Sequence, residues 1–460
     1  MQVPSHIFRE YDIRGNADEE LTNETVRAIG QAFGTFLARQ GIGDMAMGGD
    51  VRLSTERIRG AIIEGATAAG VDVVDIGTAT TPLLYWSLFD LDLGGGVMIT
   101  GSHNPKEFNG LKLAYGKTTL YGDQITDICK MIEANDLNRA AKPGAVTRRD
   151  IKEDYVTMLT KKITLGLRKL KVVTDSGNAT AGPMVNDFLR RIGCEVVPLF
   201  AEPDGTFPNH HPDPTKREYL VDLIETVRRE KADVGIGFDG DADRIGVVDD
   251  RGEVVWGDIL MALYWREIMP QHPGAKAIVE VKSSQALVDE IDRLGGEVVW
   301  WKSGHSLIKA KMKELDALFS GEVSGHMFFA DEYYGFDDSF YAAGRLLRIL
   351  SNSKQSLSEM VAEIPRYWTT AETRIDCTDE AKFGIIEAIK EDALKGHKAI
   401  TVDGVRILYL NGWGLVRASN TQPVLVARAE GKTEADLEEY AADLKARILK
   451  SGVGEFEWEY

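Results

Sequence analysis

Val97-Met98-Ile99-Thr100-Gly101-Ser102-His103-Asn104-Pro105 is a short apolar run that stops in a loop of small and polar residues. Val-Met-Ile reads as a buried strand, and Gly101, Asn104 and Pro105 are turn formers, which predicts Ser102 at a strand's carboxyl end. Open α/β sheets place their ligand crevices there. Ordinary strand-to-loop turns use the same residues for backbone reasons, so the stretch points to a fold class before it points to a function.

Strand and helix patterns alternate on both sides of it. Upstream, the segment around Tyr11 and Arg14 reads as a loop or edge strand, followed by an amphipathic helix with Val26, Ile29, Phe33, Phe36 and Leu37 that ends at Gly41. Gly49-Asp50-Val51-Arg52 comes next, with Ser54 read as the N-cap of a helix through Ile58, Ile62 and Ile63, then a strand over 71–76. The pattern recurs as strand 170–174, helix 186–192 and strand 195–200, and again as 276–281, 284–294, 297–301 and 306–315. Three related α/β units with mixed sheets are therefore expected, over 1–150, 151–255 and 256–367. From 368 to 460 the pattern changes to strands near 399–402, 407–410 and 413–418 and a closing helix over 434–449, an α+β unit joined through the polar stretch 366–370.

A length of 460 residues exceeds one core and permits a multi-domain cleft enzyme. No stretch approaches the roughly eighteen consecutive apolar residues of a membrane span, and residues 1–11 lack the apolar centre of a signal peptide, so a cytoplasmic protein is expected. Cys129, Cys194 and Cys377 lack metal or redox spacing. The formal charge of −18 argues against nucleic acid and anionic membranes as partners. An anionic substrate would then need locally concentrated cations, for which Arg14, Lys112, Arg244, Lys282 and Arg417 are the candidates.

A second loop, Gly237-Phe238-Asp239-Gly240-Asp241-Ala242-Asp243-Arg244, also follows an apolar strand. Three carboxylates at alternate positions converge on one hard cation and leave coordination positions open. An EF-hand does not fit, because Arg244 stands where that motif needs glycine and Asp250 where it needs glutamate. Two further loops carry dense polar chemistry: Gly321-Glu322-Val323-Ser324-Gly325-His326 and Arg417-Ala418-Ser419-Asn420-Thr421-Gln422-Pro423. Arg417 offers a planar fork for phosphate, with Ser419, Asn420 and Thr421 as neutral donors. Glu322 and Ser324 have the hydrogen-bonding capacity to read sugar hydroxyls.

Together, in their order and spacing, Thr100-Gly101-Ser102-His103-Asn104-Pro105 and these three loops resemble the α-D-phosphohexomutase family, and the form of the Glu322 loop is most similar to its phosphomannomutase/phosphoglucomutase branch. The phosphoglucosamine branch usually has glutamine in that loop. The resemblance implies three similar α/β domains and a smaller C-terminal α+β domain, heart-shaped around a central cleft. It implies interconversion of hexose 6-phosphate and hexose 1-phosphate through a phosphoserine at Ser102, with Mg²⁺ held by Ser102, Asp239, Asp241 and Asp243 and a hexose 1,6-bisphosphate as activator and intermediate. It places Tyr11, Arg14, Arg244, Lys282, His305 and His326 around the phosphosugar. Lys112, read as sharing the loop region of Ser102, is the first choice for the proton acceptor and His305 the second. The expected partner is a small phosphosugar, and the chain a monomer or weak oligomer. A phosphoglucosamine mutase and a non-catalytic sugar-phosphate binder on the same fold are the competing readings. A phosphatase with Asp239 as nucleophile leaves Ser102, Glu322 and Arg417 without roles.

Overall fold

The structure, a computed structural model, describes residues 2–419 and 422–459. The chain divides into two compact units, one comprising residues up to Trp256 together with Ser324–Glu359, the other Gly257–Val323 together with residues from Met360 on.

In the first unit, strands Asp44–Gly49, Asp72–Thr78 and Gly95–Ile99 run parallel, as strand–helix alternation demands. Their two crossovers are the helices Thr55–Ala68 and Thr81–Asp90, and the helix Asn23–Arg39 leads into the first strand. Strand Phe108–Tyr115 then returns antiparallel beside Gly95–Ile99, and the edge strand Ile13–Asn16 pairs with it, so the sheet is mixed. Ile29, Phe33, Met45, Ile58, Val97 and Leu111 belong to the core beneath. A second sheet repeats the plan. Lys171–Asp175 lies parallel to Glu195–Leu199 and Val234–Phe238, and Ile245–Asp249 returns antiparallel beside Val234–Phe238. In both sheets the loop of interest joins the last parallel strand to its antiparallel return. Ser102 therefore follows Gly95–Ile99, and Asp239 follows Val234–Phe238.

In the second unit, Lys276–Glu280 is flanked in parallel by Glu297–Trp301 and by Phe319–Gly321. The C-terminal segment forms an antiparallel sheet packed with helices Asp379–Ala393 and Glu434–Lys450. Its longest strand, Val424–Gly431, pairs with Gly412–Ala418 on one side and with Thr373–Asp376 on the other.

Two expectations need correction. Lys112 lies on the strand Phe108–Tyr115, opposite Met98, and not in a loop. Ser54 occupies the N-cap position without capping. Its hydroxyl accepts from Asn109 Nδ2, while Asp50 Oδ1 takes the Arg52 N–H and the Thr55 hydroxyl. Within the 366–370 stretch, Trp368–Thr369 pairs with Gly431 and Glu430. The strand Val424–Gly431 and the helix Asp379–Ala393 had no counterpart in the sequence reading. Among the described residues, no helix is long and apolar enough to cross a membrane.

Candidate active site

Ser102 is buried, with a left-handed φ of 47°, and its N–H is fixed by the Thr100 hydroxyl at 2.8 Å. From there its Oγ donates to Asp239 Oδ2 at 2.7 Å. The two loops meet closely because Gly240 has no side chain, where a Cβ would stand 2.3 Å from the Ser102 carbonyl oxygen. Asp239 Oδ1 accepts the backbone N–H groups of Asp243 and Arg244, so the aspartate loop folds around its own first carboxylate.

Asp239, Asp241 and Asp243 are completely buried, each with a carboxylate oxygen within 4.8 Å of the others'. Lys112 Nζ lies 2.9 Å from Asp241 Oδ2 and also contacts Asp243 Oδ2. Burial works against its charge, yet Asp241 and Asp243 outweigh burial and hold the ammonium protonated well above its ordinary range. Burial, reinforced by Asp241 and Asp243, lifts the Asp239 carboxyl well above the usual range. One ammonium among three carboxylates leaves a net negative pocket. Asp241 Oδ1 and Asp243 Oδ1 have no hydrogen-bond partner among the described residues. Buried anionic oxygens left in that state are costly, and a small divalent cation of the Mg²⁺ type fits them.

Asp243, His326 and Asp337 form a second group with metal-ligand spacing. Here Arg244 Nε donates to His326 Nε2 at 2.9 Å, which requires the lone pair at Nε2 and places the ring proton on Nδ1. Nδ1, 3.0 Å from Asp337 Oδ2, is thereby unavailable to a cation. His103, whose Nδ1 is 3.2 Å from Ser102 Oγ, stays neutral because burial and the charges of Arg244 and Arg14 push its pKa well down. Arg14 reaches Asn104 Oδ1 at 3.2 Å and Asp12 at 2.5 Å, and Tyr11 is half-buried beside it.

The second unit holds the other predicted groups. Glu322 Oε1 accepts the Gly304 N–H at 2.8 Å, directly before the buried His305 at a helix start. Lys282 Nζ is 3.2 Å from Glu372 and 3.9 Å from Glu280. Burial disfavours its charge, but these two carboxylates raise its pKa, and in turn Lys282 pulls Glu372 down to about 2. Arg417, on the strand Gly412–Ala418, is buried with its Nε on Asp403 at 2.8 Å. Ser419 is buried, and its hydroxyl accepts from the Gln422 N–H. Asn420 and Thr421 lie outside the described residues. Ser324, half-buried, belongs to the first unit with His326. Sequence reasoning missed Glu280, Glu372, Asp403 and Asp337. Glu280 alone carried a signal, a carboxylate ending an apolar strand just as Asp175 does.

Four family models match consecutive segments, the phosphoglucomutase/phosphomannomutase alpha/beta/alpha domains I, II and III at residues 5–139, 153–252 and 256–367 and the C-terminal domain at 372–447. The chain belongs to the phosphoglucomutase/phosphomannomutase family. Within that family it is 45% identical, over 95% of its length and 94% of the relative's, to a phosphomannomutase/phosphoglucomutase of Pseudomonas aeruginosa. A phosphoglucomutase of Neisseria gonorrhoeae is 40% identical over 97% of both chains. The crystal structure of a family protein from Burkholderia thailandensis superposes with a TM-score of 0.93 at 36% identity, covering 100% of each chain.

Proposed function

We propose that the chain is a phosphohexomutase that interconverts the 6-phosphate and 1-phosphate of mannose, glucose or both. The observation that carries this reading is the hydroxyl of Ser102 donating to Asp239 inside a buried triad of aspartates. A binding protein has no use for a buried serine set against three carboxylates, which weighs against the non-catalytic reading.

Phosphate on Ser102 is the group transferred. The bond from phosphorus to Ser102 Oγ breaks as a bond from phosphorus to the sugar hydroxyl oxygen forms, and the hydroxyl proton leaves to a base. The product of that half-reaction is a hexose 1,6-bisphosphate, whose other phosphate then returns to Ser102. Asp239, Asp241 and Asp243, with an oxygen on Ser102, would hold Mg²⁺, which neutralises charge on the phosphoryl oxygens. Lys112 is the first choice for the proton acceptor, a role that a cation held by Asp241 and Asp243 would favour by lowering their pull on its proton, and His305 is the second choice. Arg14, with Tyr11, and Arg244, set by His326, supply charge and hydrogen bonds for the phosphate near Ser102. Glu322, in the same unit as Lys282, and Ser324 read sugar hydroxyls. Arg417, Ser419, Asn420 and Thr421 take the phosphate that is not being transferred. The test is a panel of hexose 1-phosphates assayed with catalytic hexose 1,6-bisphosphate and Mg²⁺. Turnover of mannose or glucose 1-phosphate supports the reading, and turnover of glucosamine 1-phosphate alone would replace it with the phosphoglucosamine alternative.

A further inference from the structure

Arg52 lies outside the machinery assigned above, and its side chain is only 1% exposed. Its two terminal nitrogens donate to four carbonyls of one loop. Nη1 bonds Pro105 at 2.6 Å and Phe108 at 3.0 Å, and Nη2 bonds Ser102 at 2.8 Å and Asn104 at 2.6 Å. The carbonyl of His103 accepts instead from His211 Nε2. Every carbonyl from Ser102 to Pro105 is therefore bonded to one of two side chains. Asp50 lies 3.2 Å from Arg52 Nε, and the Phe207 ring packs 5.2 Å from the guanidinium carbon. The fit is close enough that a Cβ on Gly101 would stand 2.5 Å from Arg52 Cζ.

Two consequences follow from elementary electrostatics. A carbonyl oxygen is the negative end of the peptide dipole, so any carbonyl turned toward a phosphate on Ser102 would repel it, and Arg52 keeps these oxygens turned to itself. The left-handed backbone of Ser102 is also uncommon for a residue with a Cβ and persists only where its surroundings fix it. We propose that Arg52, with His211, is the positioning residue of the nucleophile loop, holding its carbonyls away from the phosphoryl group and Ser102 Oγ aimed at Asp239. This rests on the reading of Ser102 as the phosphorylated nucleophile.

Arg52→Lys tests it, because an ammonium keeps the charge but lacks the planar fork that spans four carbonyls. In folded Arg52→Lys, kcat should fall by about 100-fold, the scale of an ångström-level misplacement of a reacting group, with KM for hexose 1-phosphate little changed. The phosphorus-31 resonance of the phosphoserine should shift or broaden relative to wild type. A folded variant with wild-type kcat and an unmoved resonance overturns the proposal. So does one whose affinity falls as far as its turnover, which marks general loosening. If Arg52→Lys does not fold, the His211 pair decides: His211→Ala should lower kcat about tenfold, the worth of one hydrogen bond, and His211→Gln should restore most of it. Unchanged kcat in His211→Ala, or no recovery in His211→Gln, overturns the proposal. A wild-type protein that never takes up phosphate would instead sink the phosphoserine reading itself, whatever these variants do.

Discussion

The loop that carries Ser102 and the loop that carries Lys282 are both held by arginines that bond backbone carbonyls, but the arginines come from different places. Arg52 belongs to the same α/β segment as Ser102 and is balanced by Asp50. The Lys282 loop is gripped by the C-terminal segment of the second unit. Arg406 Nη1 bonds the carbonyls of Val281 and Ser283, each at 2.7 Å, and Arg428 Nη1 bonds that of Lys282 at 2.7 Å. Arg406 is fully buried between Trp300 and Trp413, with ring centroids 4.4 and 3.8 Å from its guanidinium carbon. Burial drives its pKa down to about 9. The nucleophile loop is thus held mainly by Arg52 of its own segment, with His211 of the next segment on the one remaining carbonyl, whereas the Lys282 loop is held by the sheet that also carries Arg417. The first should be felt in turnover and the second in affinity.

Metal removal is the largest perturbation that separates them. Exhaustive chelation should abolish turnover and Mg²⁺ restore it, since Asp239, which accepts from Ser102, shares one carboxylate cluster with Asp241 and Asp243. Asp241→Asn should weaken the Mg²⁺ dependence of both activity and thermal unfolding. Full activity after chelation would break the assignment of the chemistry to the first unit. Arg417→Ala comes next, and should weaken binding of hexose 1-phosphate and hexose 6-phosphate alike, by about 1.5–3 kcal/mol for a lost charge-assisted bond. Calorimetry with each isomer checks it, and loss of affinity for one isomer only would contradict a shared phosphate site.

The smallest effect concerns the scaffold behind the nucleophile loop. His210 Nε2 lies 3.0 Å from Asp175 Oδ2, and although burial opposes its charge, that carboxylate raises its pKa above the ordinary value. A group whose folded pKa is raised contributes stability that is fully present below its unfolded pKa of about 6.5 and is lost as pH rises through the folded value. Urea midpoints should therefore fall from pH 6 to pH 8 more steeply in wild type than in His210→Gln. Equal slopes would remove His210 from the account.

The strand-end loops were legible in the sequence because apolar runs stop abruptly at Ser102 and Asp239, where polar residues cluster for no packing reason. Lys112 was harder. Leu111 and Leu113 alternate with it, so a period of two points Lys112 at solvent, yet it is buried because Asp241 and Asp243 meet it there. Ser54 looked like a cap, but its backbone is already helical and its hydroxyl accepts from Asn109 Nδ2, a partner distant in sequence that spacing alone does not reveal. The roles of Arg52 and Arg406 depend on which carbonyls the turns expose, and those turns form only in the folded chain.

The central claim is that Ser102 is the group that carries phosphate. Intact-mass measurement of the wild-type protein after incubation with hexose 1,6-bisphosphate and Mg²⁺ tests it directly, with Ser102→Ala as the control. The account predicts one added phosphate in wild type, located to Ser102 by fragmentation, and none in Ser102→Ala, whose turnover should be lower by about four orders of magnitude or more, as for loss of a covalent nucleophile. Active wild-type protein that never gains that mass, or phosphate found on a different residue, would contradict it.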